Sequence, residues 1–434
     1  MLHRIELEGV GPASKMTMDL APRLNVITGD NGLGKTFLLD VAWFVLTRTW
    51  PRYPATPRAP GVGAKIRFAV DAQRDQKTYE TSFVPRKQTW SRSVGRPPSP
   101  GLVMYARVDG SFAVWDPARN YWRDAPSLGV DDPQRPEAFL LSPAEVWDGL
   151  RQEVAGRTIP LCRGLIEDWV TWQAAEPTFF EALKVVLEML SPDPAHPIRP
   201  AKPVRMNVDD ARDYPAVTMP YGVVSLVHAS AGVQRIAALA YLLIWSVSEH
   251  MLARERLGLK ETHQVTLLVD EVEAHLHPQW QRRVLPSLLD VAVSLQDAFV
   301  NANLSDLQFI VSTHAPLVLT SLEPHFDEAR DRLWTLDLRG SEVELSHVRW
   351  EKRGDVANWL SSDVFAHPAL RPIEAEEALD KAKALAVRDS VPARELARVE
   401  RALRAHIPEL DPFWKTWGVL RQKWANGPHG VKPR

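Results

Sequence analysis

The pattern of hydrophobic and polar positions predicts an α/β fold. Residues 3–8 (HRIELE) alternate polar and apolar side chains, which indicates a half-exposed strand. Two continuous apolar runs, 264–271 (QVTLLVDE) and 307–316 (LQFIVSTHAP), predict strands that are buried on both faces of a parallel sheet. The most apolar run, 236–247 (IAALAYLLIWSV), is too short to cross a bilayer and predicts a buried helix.

Turn and capping residues add two shorter elements. Residues 101–116 hold two β-rich runs around Asp109 and Gly110, a dipeptide that favours a tight hairpin turn. Residues 141–154 predict a helix whose N-cap is Ser142, because a proline follows it at the first helical position and a glutamate stands three residues after the cap.

Helical periodicity continues over 160–190 and returns after Ser346 in two alanine-rich, charged segments at 372–387 and 392–406. The prolines, 35 in all, concentrate between these elements, which predicts loops and linkers there. The proline-rich segments are 51–60, 86–100 and 191–220.

Composition narrows the class of protein. A chain of 434 residues that is 45% hydrophobic can bury a large core and form more than one domain. The net charge is −2, so global charge does not indicate a nucleic-acid or membrane partner. The single cysteine, Cys162, excludes a disulfide framework and a cysteine-based zinc site, which fits a cytoplasmic location. Residues 1–11 lack the basic and apolar regions of a secretory signal.

Charge is locally uneven in residues 51–100. Ten lysines and arginines stand against three acids there, a local balance of +7. This segment, with Trp90, is a candidate for neutralising nucleic-acid phosphates. The alternative, equally weighted, is a solvated, proline-rich loop.

A glycine-rich motif carries the clearest chemistry. Residues 29–36 (GDNGLGKT) follow an apolar strand at 24–28 and precede a helical apolar pattern that runs from Thr36. In that context, backbone N–H groups and the start of the helix surround phosphate oxygens. Lys35 is then predicted to meet the β- and γ-phosphates, and the Thr36 hydroxyl is a ligand for Mg²⁺. The alternative is a chance glycine turn.

Three further sites gain weight from this motif. Asp270 and Glu271 end a buried strand, where one carboxylate can reach Mg²⁺ and the other can deprotonate water. Without the glycine-rich motif, two solvated charges at a strand end would be the favoured interpretation. His314 follows another buried strand and is a candidate γ-phosphate contact or a structural histidine. Ser230 and Gly232 begin a helix, either as a plain cap or as a second phosphate-contacting terminus.

The order of these elements resembles the ABC-type ATPase head of the RecF/SMC branch, which includes small defence ATPases. The matching residues are 29–36, 230–235, Asp270 with Glu271, and His314. The resemblance covers roughly the first fifty residues and then 220–320. Ala231 and Val233 depart from the usual signature, and no glutamine loop is placed.

The resemblance implies a P-loop NTPase head with a mixed or parallel core sheet, a large β/α insertion and a C-terminal helical region. The implied domains are the first part of the head (1–50), the insertion (51–204), the second part of the head (205–345) and the helical region (346–434).

It also implies Mg²⁺-dependent ATP hydrolysis in a head-to-tail homodimer or higher oligomer. Glu271 would polarise water, His314 would sense the γ-phosphate, and Thr36 and Asp270 would hold the metal ion. Glu273, His275 and His277 would be loop residues near the protomer interface, with no zinc site. The implied nucleotide-binding residues are Gly29, Asp30, Asn31, Gly32, Leu33, Gly34, Lys35, Thr36, Ser230 and Gly232.

Similarity to Septu and retron-associated ATPases, which share the LHP at 276–278, implies a role in anti-phage defence beside a separately encoded effector, possibly an HNH-type nuclease. A transporter motor is disfavoured, and no intrinsic nuclease is expected because no Toprim pattern follows Pro316. Two alternatives stay open: a RecF-like DNA-repair ATPase that binds DNA directly, and a nucleotide-gated scaffold that barely hydrolyses ATP.

Overall fold

The computed structural model describes residues 1–59, 61, 63–72, 75–91, 99–120, 138–154, 156–260, 262–298, 306–365, 371–388 and 390–425. Three arginines of the predicted basic segment, Arg74, Arg92 and Arg96, lie outside the described residues. The chain forms two compact units, Met1–Val356 and Ala357–Arg434, which are described separately below.

The first unit contains all the strands that the structure describes, and the helices up to residue 322. The strands are β1 (Leu2–Glu8), β2 (Lys15–Asp19), β3 (Leu24–Gly29), β4 (Lys65–Ala72), β5 (Asp75–Val84), β6 (Thr89–Trp90), β7 (Leu102–Ala106), β8 (Phe112–Trp115), β9 (Phe139–Leu141), β10 (Leu150–Val154), β11 (Arg157–Cys162), β12 (Arg199–Arg205), β13 (Asp213–Met219), β14 (Gly222–Ser225), β15 (Gln264–Val269), β16 (Asp306–Ser312), β17 (Asp331–Arg339) and β18 (Glu342–Val348). The helices are α1 (Lys35–Thr47), α2 (Pro117–Asn120), α3 (Pro143–Asp148), α4 (Leu165–Ala175), α5 (Pro177–Met189), α6 (Ala231–Leu257), α7 (Pro278–Gln281), α8 (Val284–Ala298) and α9 (Pro316–Leu322).

The main sheet has eight strands in the order β18-β17-β3-β16-β15-β7-β8-β9. Its five strands from β17 to β7 run parallel, while β18, β8 and β9 add antiparallel pairs at the two edges. The predicted buried strands are β15 and β16, whose last five residues are buried in each case. This confirms the predicted α/β class with a mixed core sheet.

Helix α1 packs between the main sheet and a second sheet of five strands, ordered β2-β1-β4-β5-β6. Its side chains Leu39 and Trp43 are fully buried, together with Ile5 and Ile66 from the second sheet. Strand β1 alternates buried and exposed positions, as the pattern at 3–8 predicts. The glycine-rich turn before α1 is therefore anchored by a helix that is buried along both sheets.

The basic segment is not the proline-rich loop that was the alternative, because β4, β5 and β6 make up more than half of the second sheet. Arg67 lies 2.6 Å from Glu80 and within 4 Å of Glu6 and Glu8. Trp90 is 8% exposed and packs in the core that surrounds α1. Part of the local positive charge is therefore offset by neighbouring acids, and Trp90 does not present its ring to solvent.

The predicted hairpin at Asp109 and Gly110 is confirmed, since β7 and β8 pair antiparallel. It belongs to the main sheet, because β7 also pairs in parallel with β15. The predicted helix cap at Ser142 is confirmed as a complete capping box with Glu145. The extent of that helix is wrong, because it ends at Gly149, whose φ of 93° departs from helical geometry, and β10 follows.

Two strands of a third sheet, β12-β13-β14, lie within residues 191–220, where prolines predicted loops. Strand β12 tolerates its prolines because it lies at the edge of the sheet, and Pro215 of β13 lies opposite a register shift in β12. Strands β10 and β11 form a separate two-stranded hairpin.

Helix α6 is the longest helix and the centre of several buried polar contacts. By length and composition alone, this described helix could span a membrane, although its most apolar run, 236–247, is too short to do so by itself. Its most apolar window is 72% buried inside the protein, as in a core helix. Near its C-terminal end, the buried His250 contacts Asp116 with an Nδ1 to Oδ1 distance of 2.7 Å.

A second buried group on α6 is the hydroxyl of Tyr241. It donates a hydrogen bond of 2.8 Å to Asp168 of α4 and lies 3.2 Å from the sulfur of Cys162. Burial raises the pKa of Asp168 to about 6, and the Tyr241 hydrogen bond opposes that shift. Burial also raises the pKa of Cys162, to about 11.

The second unit is helical. It contains most of α10 (Val356–Leu360), followed by α11 (Ile373–Ala386), α12 (Ala393–His406) and α13 (Phe413–Ala425). The first two long helices match the predicted segments at 372–387 and 392–406. They share a core with α13 that includes Leu403, Trp417 and Trp424.

We predict that Asp168→Asn flattens the pH dependence of stability. The pKa of about 6 in the folded chain exceeds the ordinary 3.8, so the folded state binds the proton more readily than the unfolded state. Wild type should therefore lose stability as pH rises from about 4 to 6, by up to ~3 kcal/mol, and the loss persists at higher pH. Urea unfolding at several pH values measures this.

The stability difference between Asp168→Asn and wild type should thus grow in favour of the variant as pH rises. Glu176→Gln, at an exposed position between α4 and α5, is the matched control and should follow the wild-type curve. Parallel curves for Asp168→Asn and wild type would contradict the assignment.

Candidate functional site

Four parallel strands of the main sheet end side by side, and the predicted site residues follow their carboxyl ends. Val269 of β15 pairs with Val311 of β16 on one side and with Ala106 of β7 on the other. Strand β16 in turn pairs with β3, which leads into the glycine-rich loop. The register therefore brings Asp270, Ser312 and the loop at 29–36 to one edge.

The glycines of the loop adopt backbone conformations that suit glycine. Gly29, Gly32 and Gly34 have φ values of 135°, 81° and 101°. A Cβ on Gly29 would lie 2.5 Å from the carbonyl oxygen of Leu336, and one on Gly34 would lie 2.9 Å from Pro12. The loop can therefore make its tight turn only where side chains are absent.

Lys35 is 5% exposed and its ammonium group points back into the loop. Its Nζ donates to the carbonyl oxygens of Gly29 and Asp30 at 2.7 and 3.0 Å. Burial lowers the pKa of Lys35, and the nearby carboxylates of Glu271, Glu273 and Asp270 oppose that shift. The loop thus holds a cation against backbone carbonyls at the place where phosphate is predicted.

Asp270 is fully buried and joins two of the strand ends to α1. Its Oδ2 accepts a hydrogen bond of 2.8 Å from the Thr36 hydroxyl, and its Oδ1 accepts one of 2.7 Å from the Ser312 hydroxyl. The Ser312 oxygen also accepts from the backbone N–H of Glu271 at 2.7 Å. The predicted pair of metal-binding side chains, Thr36 and Asp270, is therefore in direct contact.

His314 lies beside two carboxylates. Its Nδ1 is 3.9 Å from Oε1 of Glu271 and 3.1 Å from Oε1 of Glu273. Glu273 lies in the turn after β15, as predicted, and its position near a protomer interface stays a prediction. Its side chain is only 3% exposed and turns inward, where it accepts the backbone N–H of His314 at 2.6 Å. His275 and His277 are exposed.

The N-terminus of α6 approaches the site through Arg235. Ser230 caps this helix and is exposed, while Gly232 is buried with Trp280 3.0 Å from the position of a Cβ. Burial lowers the pKa of Arg235. Its guanidinium donates to the carbonyl oxygens of Asp270 and Glu271 at 3.2 and 3.3 Å.

The same guanidinium also donates to the carbonyl oxygens of Arg107 and Val108, at 3.4 and 3.1 Å. Arg107 follows β7 and is 8% exposed. Burial raises the pKa of Asp40 on α1, and the positive charge of Arg107 opposes that shift. The carboxylate of Asp40 accepts a hydrogen bond of 3.0 Å from Tyr105.

The structure therefore gathers Lys35, Thr36, Asp270, Glu271 and His314 at one edge. It places Ser230 and Gly232 at the start of α6, linked to that edge through Arg235. Sequence reasoning gave no role to Ser312, Arg235 or Arg107. Parallel pairing of β15 and β16 could have indicated Ser312. Val269 pairs with Val311, so the next residues, Asp270 and Ser312, follow side by side.

We predict that Arg235→Met destabilises the first unit. The variant removes the donor of four hydrogen bonds to backbone carbonyl oxygens. A buried polar group that loses its partner costs about 1–3 kcal/mol. Chemical denaturation should show a loss of at least ~2 kcal/mol. Arg256→Met, at an exposed position on the same helix, is the control and should change stability little. Equal stability of both variants would contradict the role of Arg235.

Comparison with known proteins gives three kinds of match. Residues 221–320 match the family described as "AAA domain, putative AbiEii toxin, Type IV TA system". Over 56 residues, 13% of this chain, it is 41% identical to the "Retron Vc95 probable ATPase" of Vibrio cholerae serotype O1 biovar El Tor. Over 108 residues, 25% of this chain, it is 30% identical to the "Retron Ec83 probable ATPase" of Escherichia coli. The matched parts span 9% and 16% of those two relatives.

Solved structures with detectable similarity include the SMC head domain from Thermotoga maritima, with a TM-score of 0.39 at 14% identity over 80% of this chain and 99% of that one. A structure of the recombination mediator RecF has a TM-score of 0.37 at 13% identity, over 80% of this chain and 98% of that one. These likenesses are too distant to bear on function. The family match and the retron relatives support the predicted resemblance as far as they reach: the chain is similar to AAA-domain proteins and, over short segments, to retron probable ATPases.

Proposed function

We propose that this protein binds and hydrolyses ATP with Mg²⁺ at the edge formed by β3, β16 and β15. The observation that carries the proposal is the contact between Thr36 and the buried Asp270. A hydroxyl on the first turn after a glycine-rich loop and a carboxylate at the end of a parallel strand supply hard oxygen ligands of the kind that Mg²⁺ prefers.

The residues present fit a nucleotide with its metal ion. The position of a Cβ on Gly32 has nothing within 4 Å, so the loop leaves open space there. Lys35 is bonded only to loop carbonyls through its Nζ in the contacts described, and can exchange those acceptors for phosphate oxygens. Bound Mg²⁺ would neutralise phosphate charge and orient the terminal phosphate. Gly29, Asp30, Asn31, Gly32, Leu33, Gly34, Lys35 and Thr36 would form the cradle.

Glu271 is the proposed general base. Its backbone N–H is fixed by Ser312 and its carbonyl by Arg235, so the side chain projects from a backbone that is held on both sides. Its φ of 45° is unusual for a residue other than glycine. His314 is the proposed contact to the terminal phosphate or to the attacking water. Its ring is 45% exposed.

We propose further that two heads close around the nucleotide, as a homodimer or higher oligomer. Ser230 and Gly232 start α6, and Ser230 is exposed, so the residue can meet a second copy of the chain. A helix N-terminus with a serine cap favours an anionic ligand. Arg235 would then transmit the position of α6 to the backbone of Asp270 and Glu271.

The biological role is proposed from the relatives. Two of them are named as retron ATPases, and each is matched over a quarter of this chain or less. We propose that the ATPase regulates a separately encoded effector, possibly an HNH-type nuclease, in cytoplasmic anti-phage defence. The domain division at 1–50, 51–204, 205–345 and 346–434 is part of this proposal.

The alternative is direct DNA binding by a RecF-like ATPase. The features of the basic segment offer it little support, because Arg67 faces three carboxylates and Trp90 is buried. Arg86 and Lys87 remain exposed in a short 3₁₀ turn after β5.

We predict that Glu271→Gln lowers the rate of ATP hydrolysis by roughly 10²- to 10⁴-fold, because an amide cannot accept the proton of water. ATP binding should persist, and the ATP-bound dimer should accumulate in size-exclusion chromatography with light scattering. Glu328→Gln, at an exposed position far along the chain, is the matched control. A normal hydrolysis rate in Glu271→Gln would show that Glu271 is not the base.

If wild type binds ATP but turns it over no faster than Glu271→Gln, the nucleotide-gated scaffold is the better description.

Regulation of a separate effector and direct DNA binding predict different affinities of the purified protein for DNA. If the effector proposal holds, the purified protein has no DNA affinity of its own and copurifies with the product of a neighbouring gene. If DNA is bound directly, fluorescence anisotropy should show affinity that falls steeply with salt and drops on reversing the charges of Arg86 and Lys87. Lys352→Glu, also exposed, is the control for charge alone.

A further inference from the structure

Glu273 is a buried carboxylate whose contacts are directed at one residue. It is 3% exposed, whereas the ring of His314 is 45% exposed. Its Oε1 accepts the backbone N–H of His314 at 2.6 Å and lies 3.1 Å from Nδ1 of the same residue. One oxygen thus accepts the backbone N–H of His314 and also lies close to its ring nitrogen.

The other oxygen gives a second, independent observation. Oε2 of Glu273 is buried and has no hydrogen-bond partner among the described residues. Burying a carboxylate with an unsatisfied oxygen is costly, and natural proteins retain such groups mainly where they serve a purpose. A single bond to one backbone N–H does not account for this cost, whereas an acceptor placed against both the backbone and the ring of His314 has a further role.

The distances from the ring of His314 to two carboxylates bear on which ring nitrogen carries hydrogen. Nδ1 faces Oε1 of Glu273 at 3.1 Å and Oε1 of Glu271 at 3.9 Å. A lone pair on Nδ1 would face these carboxylate oxygens, which themselves carry lone pairs, so the electrostatics favour hydrogen on Nδ1. In the neutral ring, Nε2 is then the nitrogen with the free lone pair.

We propose that Glu273 is a positioning residue that holds His314 in the Nδ1–H form and presents Nε2 to the reacting groups. This inference rests on the proposed ATPase function for its catalytic consequence, although the tautomer itself does not depend on nucleotide. Neutral His314 then offers an acceptor to a water hydrogen at Nε2, and the protonated ring offers a donor to a phosphate oxygen there.

The loop backbone makes this positioning rigid. The N–H of Val272 donates to the carbonyl oxygen of Ser312 at 3.2 Å, and the N–H of Leu276 donates to the carbonyl oxygen of Glu273 at 3.0 Å. The segment that carries Glu273 is therefore bonded to the end of the strand that leads to His314. A precise orientation matters because a misplaced catalytic group can cost roughly 10²-fold in rate.

The tautomer can be read directly by nitrogen NMR. Protein labelled with ¹⁵N-histidine is measured without nucleotide at about pH 8, where an ordinary ring is neutral. His314→Gln identifies the His314 signals. We expect wild type to show a protonated Nδ1 and an unprotonated Nε2. A wild-type ring protonated on Nε2 overturns the proposal, whatever the ATPase activity.

Two variants separate positioning from packing. Glu273→Gln keeps an oxygen acceptor and should retain the Nδ1–H form, with kcat within roughly threefold of wild type. Glu273→Met keeps the length of the side chain without an acceptor. It should shift the ring towards the Nε2–H form and lower kcat by roughly 10- to 100-fold, while KM for ATP changes less than about twofold.

The outcomes distinguish this inference from the proposed function. An Nδ1–H ring in Glu273→Met with unchanged kcat overturns the positioning role. A tautomer shift in Glu273→Met, in a wild type that hydrolyses no ATP, supports the positioning of His314 and rejects the ATPase proposal instead. If Glu273→Met does not fold, the wild-type tautomer and its retention in Glu273→Gln still decide the question.

Discussion

The buried carboxylate of Asp270 holds the site together. Its two oxygens accept hydrogen bonds from Thr36 and Ser312, and its backbone N–H donates to Ala106 at 2.9 Å. One residue thus joins the helix after the glycine-rich loop to both strands beside β15. A fully buried carboxylate is stable only when it is well hydrogen-bonded, so the charge itself enforces the alignment of three chain segments.

Glu271 inherits its geometry from this arrangement. Its positive φ costs free energy, of the order of 1–3 kcal/mol for sparsely populated backbone conformations. The surrounding bonds offset that cost, because Ser312 fixes its N–H and Arg235 fixes its carbonyl. The strained residue is also the proposed general base, and an association between backbone strain and functional sites is common.

Much of this site could be predicted from the sequence, because its residues follow continuous apolar runs. The positions of Lys35, Thr36, Asp270 and His314 at strand or helix ends needed only periodicity and the parallel pairing rule. The burial of Glu273 could not be predicted, because the residue lies in a turn, where no hydrophobic periodicity indicates burial. Its environment comes from His314, 41 residues away in the chain.

Contacts between residues that are distant in the chain also explain the errors in the predicted strands and helices. The apolar alternation of β4 to β6 was masked by prolines and basic residues around them, although these strands pack against α1. The helix begun at Ser142 has all the local starting signals, but Gly149 ends it early and the next residues pair as a hairpin. Local sequence signals therefore predict the start of an element better than its end, because the end depends on tertiary pairing.

Helix α6 is attached to one hairpin at two distant points. Arg235 bonds the carbonyl oxygens at the end of β7, and His250 bonds Asp116 just after β8. These two residues are 15 positions apart, so the attachments lie ~22 Å apart along the helix axis. The helix and the hairpin must therefore move as one rigid body. Any displacement of Ser230 is carried into the edge of the main sheet, rather than absorbed by bending between them.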